Sequence, residues 1–92
     1  MTIGDVEEQI LAVEGFQVRF VRPDGVDRRS DYAPDGLKSY PYRNAAKGTF
    51  TVAEWERTRF APNYPGFDVA YRTSSGLPMT HRQTSLRRFR EL

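Results

Sequence analysis

One pattern occurs twice in the chain. Gly15-Phe16-Gln17-Val18-Arg19-Phe20 leads to Gly25, and Gly66-Phe67-Asp68-Val69-Ala70-Tyr71 leads, over the same interval, to Gly76. Each copy sets apolar side chains at every second position, the period of a strand with one covered face. Each ends in turn chemistry, Pro23-Asp24-Gly25 in the first copy and Ser74-Ser75-Gly76 in the second. The repeat therefore predicts two β-hairpins, with return strands from Val26 to Asp31 and from Leu77 to His81. The first return strand, with Asp27, Arg28, Arg29 and Ser30, has the composition of an exposed edge.

Helix signals precede both copies. Thr2 can cap a helix whose apolar residues Ile3, Val6, Ile10 and Val13 recur at three- and four-residue spacing, with Asp5, Glu7 and Glu8 near its positive end and Gly15 as its stop. Thr51 and Glu54 form a capping box for a second helix carrying Val52, Trp55 and Glu56, which must end before Pro62. Thr84 or Ser85 opens a short last helix with Leu86 and Phe89 on one face. Residues 32–49 read as a long connection broken by Pro34-Asp35-Gly36 and Tyr40-Pro41-Tyr42, with a short helical turn expected at Arg43 to Lys47. The expected fold is α+β: one domain over 1–92 in which two helix-hairpin halves, about 3–31 and 52–81, share an antiparallel sheet packed by two helices, followed by a short C-terminal helix.

Composition narrows the class. The chain has no cysteine, which removes disulfides and thiolate metal sites and makes a reducing cytoplasm the expected compartment. No apolar run approaches the roughly 18 residues of a membrane span, and the acidic amino end does not read as a secretory signal. The net charge is only +2, but it is unevenly spread. Asp5, Glu7, Glu8 and Glu14 precede any Lys or Arg, whereas Arg82, Arg87, Arg88 and Arg90 near the other end face only Glu91. Such asymmetry points to a nucleic acid, an acidic protein or the acidic helix of a second copy; a solvated helix face explains it equally well.

No catalytic, metal or cofactor motif stands out. His81 is the sole histidine and lacks identifiable partners for a metal site or a nucleophilic triad. Asp24, Asp27, Asp31 and Asp35 lie close together but do not follow a calcium-loop pattern, and Asp24 and Asp35, each before a glycine, read as turn formers. None of the glycines falls in a phosphate-binding motif. No cofactor and no metal is expected. The most distinctive local composition is the mixture of rings and cations from Tyr40 to Lys47 and on through Trp55, Arg57, Arg59, Phe60 and Tyr64. Bases stack on rings while Arg and Lys hold phosphates, and Tyr, Trp and Arg also dominate protein interfaces. A chain with 13% aromatics must, however, build its core from rings, so Trp55, Phe60 and Phe67 are expected inside. The residues expected to meet a partner are Tyr40, Tyr42, Arg43, Lys47, Tyr64, Arg82, Arg87, Arg88 and Arg90, with the three tyrosines as surface rings.

The segments Tyr40-Pro41-Tyr42, Ala45-Ala46-Lys47-Gly48, Thr51-Val52, Glu54-Trp55, Arg59-Phe60 and Tyr64-Pro65-Gly66-Phe67-Asp68-Val69 resemble a family of small uncharacterised bacterial proteins, some of them carried on integron cassettes or other mobile elements. The resemblance covers about a third of the chain. It implies a bacterial cytoplasm and an accessory role, and brings no assigned activity or functional residue with it.

Three functions are compatible with these features. The first is a non-enzymatic binding module that meets an anionic partner, nucleic acid or acidic protein, through the basic-aromatic surface. The second is a homodimeric structural or regulatory protein joined through a sheet edge or helix face. The third is a metal-independent ribonuclease-like enzyme using His81, Arg82 and a tyrosine for proton transfer and phosphate stabilisation.

Overall fold

The computed structural model describes residues 1–92. Helix α1 spans Ile3–Glu14 and is closed at its start by a reciprocal box: the Asp5 N–H donates to Thr2 Oγ1 at 3.1 Å and the Thr2 N–H to Asp5 Oδ2 at 2.9 Å. Its buried face carries Ile3, Val6 and Ile10, as the spacing predicts, and then Glu14. Gly15 ends the helix in the left-handed region, φ 81°, with its N–H returned to the Leu11 carbonyl; a side chain there would be strained.

Strand β1, Gln17–Val21, follows with Val18 and Phe20 buried. It does not pair with a strand from its own half. After the turn at Gly25 the chain makes a single bridge, Val21 with Asp27, and no strand forms over 26–31. The charged run offers nothing to bury on the inner face, so strand register there gains no packing. The chain instead peels off across the start of α1, where Gly4 and Ile3 donate to the Ser30 and Tyr32 carbonyls, both at 2.8 Å. Gly4 is needed for this approach, because a Cβ there would lie 3.0 Å from the Ser30 oxygen.

The sheet is three-stranded and antiparallel in the order β1-β2-β3, with β2 at Asp68–Arg72 and β3 at Pro78–Met79. The two copies of the repeat thus pair with each other. Arg19 faces Ala70, its equivalent in the second copy, and on either side Val18 faces Tyr71 and Phe20 faces Val69. The repeat encodes a local two-fold around Arg19 and Ala70, and the fold is α+β with a sheet one strand smaller than two hairpins would make. The second hairpin forms as expected at Gly76, but its return strand shortens to two residues. Both edges are blunted. At β1 the Phe20 N–H donates to the Glu7 carboxylate at 2.7 Å and its carbonyl accepts from Arg28, while β3 begins with a proline that has no N–H to offer.

Helix α2, Val52–Trp55, opens with the expected Thr51–Glu54 box and continues as a wide π-helical turn over Glu56–Phe60, ending before Pro62. Helix α3, Leu86–Glu91, is capped by Ser85, and Leu86 and Phe89 are buried. Residues from 48 to 53 run beside residues 82–87, tied by the Leu86 N–H to the Phe50 carbonyl and the Val52 N–H to the Thr84 carbonyl. Over the inner face of the sheet lies a continuous stack of rings. Phe16 meets Trp55 and Phe89, Phe20 meets Phe60 and Tyr64, and Tyr71 meets Trp55 and Phe89, with centroids between 4.8 and 6.1 Å. Trp55 and Phe60 are core as expected, while Phe67 is only partly covered. No helix is long and apolar enough to cross a membrane.

Candidate anion-binding surface

The expected helical turn at Arg43 to Lys47 does not form; the segment is coil. Its backbone groups are claimed from outside by one buried carboxylate and two arginines. Glu14 exposes none of its side chain. It accepts from the Ala46 N–H at 2.9 Å, from Tyr40 Oη at 2.6 Å, from Arg59 at 2.7 Å and from Arg90 at 3.3 Å. Arg59 also donates to the Asn44 carbonyl, and Arg90 to the Ala46 carbonyl and to the carbonyl of Glu14 itself. A carboxylate taken out of water is tolerable only when paired and fully hydrogen-bonded, and here both conditions hold. The sequence pattern had a signal for it: Glu14 lies four residues after Ile10, on the apolar stripe of α1.

Two expectations about surface rings are overturned. The Tyr40 ring is buried, its hydroxyl donating to Glu14 and accepting from Trp55 Nε1 at 3.1 Å. Burial, then the hydrogen bond to Glu14 and its charge, hold the phenol far above its ordinary value. Tyr64 is also buried, with its hydroxyl on the Lys38 carbonyl, and burial raises it likewise. With few large aliphatic residues to use, the core takes these rings, and each polar tip finds a partner inside. Tyr42 is half-buried beneath the Arg59 guanidinium, 4.2 Å from the ring centroid, so its face is already occupied.

Two of the expected basic residues are also engaged. Arg90 is a clamp on Glu14, and Arg82 pairs with Glu56 while lying over the Tyr71 ring. Arg43, Lys47, Arg87 and Arg88 are exposed and belong to no ion pair. The fold brings them onto neighbouring segments. The Arg87 N–H donates to the Gly48 carbonyl at 3.0 Å, and Gly48 has no Cβ because one would stand 3.0 Å from that of Arg87. Lys47 is thus set beside the start of α3, with Arg88 next along that helix. The Arg59 bond to Asn44 fixes the backbone beside Arg43.

Of the residues considered for catalysis, Arg82 and a tyrosine meet at one carboxylate. Tyr71 Oη donates to Glu56 Oε1 at 2.7 Å, and Arg82 shares that oxygen. Burial first, then the Glu56 hydrogen bond and charge, keep the Tyr71 proton in place, so the group can donate but not serve as a base at ordinary pH. His81 is exposed one residue away, and its ring makes no hydrogen bond within the protein. The carboxylates of the 24–31 stretch are spoken for: Asp24 by Arg22 and the Val26 N–H, Asp27 by Arg72, Asp31 by Arg29. No three His, Asp or Glu side chains converge to hold a metal ion.

Compared with protein-family models, curated proteins and solved structures, the chain finds no significant match, so none of these comparisons bears on the resemblance to the mobile-element family.

Proposed function

We propose that the protein is a non-enzymatic accessory binding protein that docks an anionic macromolecule, nucleic acid in the first place, on the surface carrying Arg43, Lys47, Arg87 and Arg88. The observation that carries this reading is the division of labour among the basic residues. Arg59, Arg82 and Arg90 neutralise carboxylates of the protein itself, whereas these four, like Lys38 and Arg57, are exposed and neutralise none; Lys47 and Arg87 lie on segments joined by the Arg87 N–H to the Gly48 carbonyl. Each such cation can displace a counterion from a phosphate, so duplex binding through four contacts loses affinity with a slope of about −3 to −4 in log K against log salt.

Burial of Tyr40 and Tyr64 sharpens the reading. Single-strand binders need open rings on which bases stack, and these two rings are inside. At the four cations, contact through backbone charge, without base preference, is what remains. An acidic protein surface is the other partner class this charge pattern fits. Self-association through a sheet edge has less physical support, because the Phe20 backbone groups are already bonded and β3 starts with Pro78. A bacterial cytoplasm, implied by the resemblance and by the absence of cysteine, belongs to the same proposal. Titration of a labelled duplex against the wild-type chain and an Arg87→Glu/Arg88→Glu variant tests it.

A further inference from the structure

A cleft of about 470 Å³, formed by the first turn and the segment that follows it, shares no residue with the basic surface just described and is lined by Arg22, Asp27, Arg28, Arg29, Asp31 and Tyr32 among others. Its size falls in the range of small-molecule sites. Most of its charges are internally settled: Arg22 on Asp24, Arg29 on Asp31, and Asp27 on Arg72. Arg28 is the exception. No protein acceptor meets its guanidinium, and its Nε is the one buried side-chain polar atom in the molecule without a hydrogen-bond partner. The side chain is nevertheless held, since the Arg28 N–H is bonded to the Phe20 carbonyl at 2.8 Å and the guanidinium lies 5.2 Å over the Phe67 ring.

The Nε is shut inside and costly to leave unpaired, but the two terminal nitrogens also meet no protein acceptor, and a guanidinium presented this way is suited to end-on, bidentate capture of an oxyanion. The Tyr32 ring, exposed at 45%, stands in the same cleft as a flat apolar surface. Asp27 and Asp31 leave the lining with little excess positive charge, which disfavours a polyanion and suits a small ligand with one anionic group. We propose that this cleft is a second binding site, taking a small molecule in which a phosphate or carboxylate, held by Arg28, is joined to a flat ring that lies against Tyr32.

The test uses the full chain, with adenosine monophosphate and benzoate as probes, adenosine as the uncharged control, and amide chemical shifts as readout. Saturable shifts in residues 22–33 with adenosine monophosphate, absent with adenosine and weakened about tenfold or more by Arg28→Gln, are expected. The exposed-ring variant Tyr32→Ala, which disturbs no core packing, is expected to weaken binding as well. Saturation by benzoate instead identifies a carboxylate as the anionic group and equally supports the site. Saturation by neither probe, or saturation that Arg28→Gln leaves untouched, overturns it.

Discussion

The Glu14 carboxylate, with no exposed side-chain surface at the end of α1, lies 2.7 Å from the Arg59 guanidinium and holds, through it and Arg90, the coil that carries Arg43 and Lys47. The proposed docking surface is therefore positioned from beneath by a buried charge network rather than by secondary structure.

Removing that charge leaves two arginines and the Ala46 N–H without their acceptor. Glu14→Ala is expected to cost about 3–5 kcal/mol, the range for breaking a buried pair on one side. Urea unfolding measures it, and hydrogen exchange at Ala46 reports whether the coil loosens. A cost below about 1 kcal/mol would mean that the network is ornamental.

Tyr40 joins the network to the core, because its hydroxyl is the acceptor for Trp55 Nε1 as well as a donor to Glu14. Tyr40→Phe strands a buried indole N–H and is expected to cost about 1–3 kcal/mol. Trp55 is the only tryptophan, so its emission follows the change directly. Unaltered stability and emission would contradict the assigned bridge.

Two carboxyls should give pH effects of opposite sign. Burial raises the Glu7 carboxyl above its ordinary value, against the Phe20 N–H that lowers it. The unfolded chain then gives up this proton first, so the contribution of Glu7 is present below the unfolded value of 4.5 and lost as pH rises through the folded one. The Thr51 N–H holds the Glu54 carboxyl below 4.5, so its contribution is present at neutral pH and lost as pH falls. Between about pH 3.5 and pH 7, Glu7→Gln should therefore gain on the wild type and Glu54→Gln should fall behind it. Urea midpoints at the two pH values decide; shifts of the same sign in both variants would contradict the assignment.

If Arg28 is kept for a ligand, the unliganded protein should be more stable without it. Arg28→Met places an adaptable apolar side chain on Phe67 and removes the buried Nε that lacks a partner, a group expected to cost about 1–3 kcal/mol. A raised melting temperature is the expected result, and a lowered one shows that the side chain is structural.

Much of the fold is written locally. The cap at Thr2, the capping box at Thr51, the stops at Gly15 and Pro62 and the alternation in both repeats depend on neighbours in sequence, and they fold as read. Strand pairing is not local: the alternation around Phe16 and Phe67 specifies strands but not their partners, and pairing between the copies wins because it sets two apolar faces side by side. The charged stretch 26–31 lacks that reward. The candidate site was legible only in its charges. Arg43, Lys47, Arg87 and Arg88 stand exposed, but composition alone did not separate them from Arg82 and Arg90, whose carboxylates come from distant segments. Nor could spacing show that Tyr40 and Tyr64 turn inward, because that depends on where Glu14 and Lys38 are brought by the fold.

One titration tests the proposed surface most directly: a short labelled duplex of random sequence against the wild-type chain and the Arg87→Glu/Arg88→Glu variant, with solution mass recorded alongside. The predicted result is binding that weakens about a hundredfold between about 50 and 200 mM salt and is lost in the variant. Absence of binding at the lower salt, or binding that survives the charge reversal, would contradict the claim that these unpaired cations are a nucleic-acid surface. An acidic protein partner would then be the class to test.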